Sequence, residues 1–265
     1  MKTIVAAILM ISIAAIQGVA DTHIRVLHVS FMEQHEVEKI VEIAGAAERF
    51  IISQASLEMF SYGVRGLYGV GSDLQMTRLY DVVVFGINDG GENGIELPDW
   101  VASQILRFIR EGGGVVWTHD YLDWDGDFGS EIEAAAGVSF DGIHEPQAGG
   151  KTLEVRTDHP ILHSLFEIGD APISTGEAWT HTSGAQIVDA IVVLDFAHEP
   201  DVPYNFYLAV SEFGDGRVVI NQMGHYLTWD LDELEADHIR WPSVAEAQIF
   251  ANSLYWASGM GSLGE

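Results

Sequence analysis

Two runs decide the fold: Asp81-Val82-Val83-Val84-Phe85-Gly86 and, further on, Gly112-Gly113-Gly114-Val115-Val116-Trp117-Thr118. Each is a continuous apolar stretch set off by glycine, the pattern of a parallel strand buried on both faces. Between them Pro98 stands where a helix favours its first residue, and Val101, Ile105, Phe108 and Ile109 recur at helical spacing. The glycines then end the helix and the second strand begins. Strand, helix and parallel strand in that order are the unit of a doubly wound α/β sheet.

Working outward, Ile24–Ser30 reads as an opening buried strand. Val37, Ile40, Val41, Ala44, Ala47 and Ile51 share one helical stripe, ringed by Glu36, Glu38, Glu42 and Glu48. This predicts a helix running to about Met59. Gly63 to Gly71 reads as a loop. Further strands are expected at Thr152–Arg156, Ala190–Asp195, Phe206–Ser211 and Arg217–Gln222, the last two flanking the hairpin signal Gly214-Asp215-Gly216. Ser243 with Glu246 three residues on is a capping box opening a final helix, with Ala247, Phe250, Ala251 and Leu254 facing inward. No repeat, low-complexity segment or Pro/Ser linker divides the chain, so residues 21–265 are expected to form one domain.

Composition narrows the function. The chain has 265 residues, 12 Lys+Arg against 40 Asp+Glu, and a formal charge of −28. That charge repels a phosphate backbone and excludes a nucleic-acid partner. Lysine occurs only at Lys2, Lys39 and Lys151, which reads as a solvated acidic surface suited to saline surroundings. The absence of Cys excludes disulfides, thiolate metal sites and a Cys nucleophile. Met1-Lys2, the apolar run Ile4 to Ile16 and the small residues Gly18-Val19-Ala20 have the layout of a secretory signal peptide over residues 1–20, cleaved after Ala20. The product is expected in the periplasm or secreted, with no membrane span after cleavage.

Open α/β sheets bind ligands beyond the carboxyl ends of their strands. His119 follows one such strand and His225 follows another. Each imidazole can act as general base, hydrogen-bond donor or metal ligand. If the two converge, Glu177 or Asp120 can complete the set as the carboxylate, and two histidines with a carboxylate would suit a divalent metal. The alternative for His119 is a turn cap. Asn88 and Asp89 leave the Asp81–Gly86 strand for the same crevice. Trp124 and Trp229, in predicted loops, and Trp117, Tyr121 and Trp179 near them are candidates for an aromatic platform under a sugar ring, or for core. His159, before Pro160, reads as a turn residue; His144 is open either way. Asp123, Asp125 and Asp127 fail the calcium-loop pattern, since Phe128 and Ala134 stand where Gly and Glu are needed. No G-x-S-x-G elbow, Walker loop or dinucleotide fingerprint occurs.

Four ordered segments resemble the ThuA-like (trehalose-utilisation) family, a branch of the class I glutamine-amidotransferase-like fold. They are Glu111-Gly112-Gly113-Gly114 with its strand to His119; Gly137-Val138-Ser139-Phe140 with His144; Asp158-His159-Pro160-Ile161 with Glu177; and Asp215-Gly216-Arg217-Val218-Val219 with Gly224-His225. The likeness spans Ile24 to Ala257 and is weakest between Arg49 and Leu79. It implies a flavodoxin-like, doubly wound, mostly parallel sheet with antiparallel strands added in the C-terminal half. It also implies a small-molecule carbohydrate partner. Amidotransferases of this fold attack with a Cys where this chain has Trp117-Thr118-His119-Asp120, so glutamine hydrolysis by a thiolate is ruled out. The expected function is binding of a carbohydrate or keto-sugar and its transformation by hydrolase- or isomerase-type acid–base chemistry. A non-catalytic carbohydrate-binding or assembly module and a metal-dependent hydrolase are the alternatives, and a divalent metal is the one cofactor left open.

Overall fold

The first strand, β1 (Ile24–Ser30), turns Ile24 and Val26 to one face and Leu27 and Val29 to the other, all buried. In this computed structural model the chain is described over residues 23–30, 36–56, 60, 79–86, 99–118, 129–140, 145–147, 150–169, 172–176, 180–182, 185–197, 206–224 and 241–260. Helix α1 (Glu36–Ala44) buries Val37, Ile40, Val41 and Ala44. It does not continue to Met59. Gly45 adopts φ 77°, its amide donates to the Glu42 carbonyl, and the Ala46 amide donates to that of Val41. Those two bonds close a Schellman stop. After a 3-10 turn at Ala47–Arg49, Phe50–Ser56 forms strand β2, parallel to β1 with Ile24 opposite Phe50 and Ser30 opposite Ser56. Ala47 and Ile51 continue the helical period by coincidence of spacing, and both are exposed. The β-branched pair Ile51-Ile52 favours the strand.

The decisive crossover is present as β3 (Val82–Phe85), α2 (Asp99–Arg110) and β4 (Gly114–Thr118). Then come α3 (Gly129–Ala136), β5 (Val138–Phe140), β6 (Glu145–Gln147), β7 (Thr152–Val155), a 3-10 turn at Pro160–His163, β8 (Ile173–Ser174), β9 (Thr180–Thr182) and β10 (Ala185–Ile187). The chain ends with β11 (Ile191–Phe196), β12 (Phe206–Phe213), β13 (Gly216–Asn221) and α4 (Val244–Ala257). The expected hairpin joins β12 to β13, with Gly214 at φ 65° in its turn. The expected capping box opens α4: Ser243 Oγ accepts from the Glu246 amide and Glu246 returns the bond to the Ser243 amide.

Nine strands make one sheet in the order β2-β1-β3-β4-β13-β12-β11-β7-β8. β2, β1, β3, β4 and β13 run parallel; the pairs from β13 outward to β8 are antiparallel. The mixed doubly wound sheet expected from the sequence is therefore present. Alternating side chains divide the interior in two. On one face Val26, Val84, Val116 and Val219 pack with α1 and with Ala247, Phe250, Ala251 and Leu254 of α4. On the other, Leu27, Val83, Phe85, Trp117 and Ile220 pack with Val101, Ile105, Phe108 and Ile109 of α2 and with Ile132 of α3. Fully burying one such side chain contributes about 1.5–3 kcal/mol.

Candidate site at the carboxyl edge of the sheet

β1, β3, β4 and β13 are parallel and close to level, with Val29 opposite Phe85, Phe85 opposite Trp117 and Thr118 opposite Asn221. Their carboxyl ends therefore share one edge. In the sequence, Asn88 and Asp89 follow β3; His119, Asp120 and Trp124 follow β4; His225 and Trp229 follow β13. These residues, together with His144, Glu177, Tyr121 and Trp179, lie outside the described residues, as do Gly63 to Gly71. Thr118 and Asn221, from which the two histidine segments depart, are paired in adjacent strands.

At this edge the otherwise apolar strands turn polar, on the face covered by α1 and α4. His28, Thr118 and Asn221 are at most 1% exposed. His28 Nε2 lies 2.9 Å from the Gly86 carbonyl, and Thr118 Oγ1 donates to the Phe85 carbonyl at 2.9 Å. The Met223 amide donates to Asn221 Oδ1 at 3.1 Å, while Asn221 Nδ2 is buried with no hydrogen-bond partner. An unpaired buried donor costs on the order of 1–3 kcal/mol. The paired atoms hold the backbone at Phe85, Gly86 and Met223, the points where the chain leaves the sheet toward Asn88, Asp89 and His225. The signal for these residues was a polar letter closing an apolar strand, as in VVWT and VVIN.

A fourth buried polar group comes from α4. Trp256, near the end of this helix, accepts a 2.8 Å bond from Arg217 at the start of β13, so α4 begins toward the carboxyl edge. There Glu246, 1% exposed, takes the Gly176 amide at 2.5 Å, the Ser243 amide at 2.9 Å and the Tyr207 hydroxyl at 3.3 Å. Tyr207 sits at the same edge, accepting from the Gln222 amide. Burial pushes the Glu246 carboxyl upward from its ordinary pKa, opposed by the donors from Gly176, Ser243 and Tyr207. Gly176 directly precedes Glu177.

Two aromatic and histidine expectations resolve as structure. Trp117 is core, fully buried and stacked on Phe85 with ring centroids 4.4 Å apart, so it forms no part of a sugar platform. His159 orders a turn, as expected: its Nδ1 accepts from the Ile161 amide at 3.3 Å and its ring meets the edge of Trp256. Burial lowers its pKa, and the nearby Arg217 adds to that. Both Trp256 and Arg217 lie at the amino edge, away from the strand ends. Among the described residues no group of three or more His, Cys, Asp or Glu is placed to hold a metal. A cavity of about 110 Å³ opens at the amino edge between Asp81, Glu111 and Gly113. It is well below the roughly 300 Å³ at which ligand pockets begin.

The molecule is similar in structure to a ThuA-like protein from Parabacteroides merdae, at TM-score 0.61 and 14% identity over 92% of each chain. A ThuA-like protein from Bacteroides uniformis matches at 0.54 and 15%, covering 90% of this chain and 93% of that one. A cytoplasmic protein from Salmonella typhimurium matches at 0.56 and 15%, covering 88% and 98%. No family model matches the sequence. No curated protein matches it either. The resemblance expected from the four segments therefore stands as a likeness of fold: the chain has the fold of ThuA-like proteins. Among the described residues no helix is long and apolar enough to cross a membrane.

Proposed function

We propose that this ThuA-like fold binds a carbohydrate or keto-sugar at the carboxyl edge and transforms it by acid–base chemistry of the hydrolase or isomerase type. The observation that carries the reading is the level pairing of Thr118 with Asn221, which starts the segments bearing His119 and His225 from neighbouring parallel strands. Strand ends so arranged are where open α/β sheets collect their ligands. In this reading His119 is the general base or ligand-binding imidazole, with His225 opposite it and Glu177 or Asp120 as the carboxylate. Asn88, Asp89 and His144 supply hydrogen bonds, and Trp124 and Trp229 offer apolar faces to the sugar ring. The proposed protein is one exported domain, freed of residues 1–20.

The test is a panel of keto-sugars and disaccharides assayed with wild type and His119→Ala. Loss of turnover on the order of a hundredfold or more is expected for a general base. Unchanged turnover of a confirmed substrate overturns the assignment. The absence of Cys, on a fold where the amidotransferases use one, favours a second reading: a carbohydrate-binding module without chemistry. It predicts saturable sugar binding with no product. A metal-dependent hydrolase, the third reading, requires stoichiometric metal by elemental analysis of the purified protein.

A further inference from the structure

We infer that Asn221 is a ligand-contacting residue of the carboxyl edge, its side-chain amide donating to a carbonyl or hydroxyl oxygen of the bound sugar. The inference rests on the reading that this edge takes a carbohydrate. Asn221 ends β13 and sits opposite Thr118 of β4. With Thr118 and His28 it lies on the face of the sheet that carries Val26, Val116 and Val219. Each of the three makes a bond that holds main chain at a strand end: His28 to the Gly86 carbonyl, Thr118 to the Phe85 carbonyl, and Asn221 Oδ1 to the Met223 amide.

The Met223 bond settles which arm of the Asn221 amide is which. Only the oxygen can accept from a main-chain N–H, so the other arm is the NH2, with two protons to donate. That nitrogen is buried with no hydrogen-bond partner among the described residues, in a side chain 0% exposed. Most buried donors are paired, so an exception calls for a role. The turn onto Met223 needs the oxygen arm alone and leaves the nitrogen unexplained. A ligand oxygen supplies the missing acceptor. Water is already excluded from the nitrogen, so no protein–water bond is given up when the acceptor arrives, and the new bond counts toward affinity. The acceptor reaches it when the carboxyl edge opens, a step that slows association.

The test follows the Asn221 side-chain NH2 resonances of the whole isotope-labelled chain while D-fructose, L-sorbose, sucrose or trehalose is titrated. Asn221→Thr assigns those resonances by their loss, and is itself titrated and melted. Threonine is close to asparagine in size, suits a strand, and keeps an oxygen to accept the Met223 amide. In wild type both side-chain protons should move in step with saturation. The Thr variant should bind about tenfold or more weakly. Its Tm without sugar should equal or exceed that of wild type, because a donor with no partner adds nothing to the ligand-free fold. Saturation that leaves the NH2 resonances fixed, or equal affinity of the two chains, overturns the inference and leaves the carboxyl-edge reading standing. A Thr variant that melts well below wild type, or does not fold, makes Asn221 a structural residue and also overturns it. Wild type that saturates with none of the four sugars overturns the carboxyl-edge reading and this inference with it.

Discussion

His163 lies between two carboxylates, with Nε2 2.7 Å from Asp158 and Nδ1 2.6 Å from Glu167. The hydrogen bond to Asp158, then that to Glu167, raises its pKa above 6.5. A raised folded-state pKa stabilises the fold fully below the unfolded value, and that stabilisation is lost as pH rises through the folded value. His163→Gln should therefore flatten part of the fall in Tm above about pH 6.5. An unchanged profile in a pH series of thermal melts would refute it. The effect is small, because His163 is 40% exposed and its partners more so. Glu246 titrates with the same sign for a different reason: burial favours its neutral form, so its contribution falls as pH rises from 4.5. Thr118 supplies a sharper test of the strand-end bonds. Thr118→Val keeps the shape and removes the donor to the Phe85 carbonyl, and should cost about 1–3 kcal/mol in chemical denaturation. At this scale the sequence revealed the capping box, whose partners are three residues apart, and missed the same carboxylate's grip on Gly176. Local spacing carries no trace of a contact made across the fold.

At the level of elements, the crossover was legible because long apolar runs and glycines punctuate it. The second strand was not, because Ala47 and Ile51 prolonged the helical period past its true end. What ends α1 is backbone geometry at Gly45. Gly45→Ala places no atom within 4 Å of a neighbour but retains φ 77°, so it should cost about 1–2 kcal/mol from left-handed strain alone. Gly114→Ala is different in kind. Its Cβ would fall 2.4 Å from the Ala257 carbonyl oxygen, a main-chain atom that no side-chain rotation can move aside, forcing α4 away from β4. It should destabilise clearly more than Gly45→Ala in parallel denaturation curves, and equal costs would contradict this account of the packing. The Gly112–Gly114 run thus does more than end α2: its third glycine lets α4 lie against the sheet.

Over the whole molecule, the topology reverses between β1 and β3, which places α1 and α4 on one face and α2 and α3 on the other. The strand–helix–strand unit was legible in the sequence, and helices on both faces followed from the family resemblance; the helix Gly129–Ala136 and the assignment of each helix to a face were not. The polar letters closing VVWT and VVIN mark the carboxyl edge, but the hydrogen-bond partners of these side chains lie elsewhere in the fold and leave no trace in local spacing. The net charge of −28 acts at this scale too. Self-repulsion among surface carboxylates is screened by salt, so Tm should rise as NaCl goes from about 0.05 to about 1 M. A flat or falling response would mean that the acids are already balanced locally. The central claim, that the carboxyl edge is the working site, is tested most directly by mapping ligand contacts in solution. Isotope-labelled protein is titrated with keto-sugars and disaccharides while backbone amide shifts are followed. The account predicts saturable changes concentrated at Gly86, Thr118, His119, Met223 and His225. Changes confined instead to the amino edge, around Asp81, Glu111 and Gly113, would contradict it.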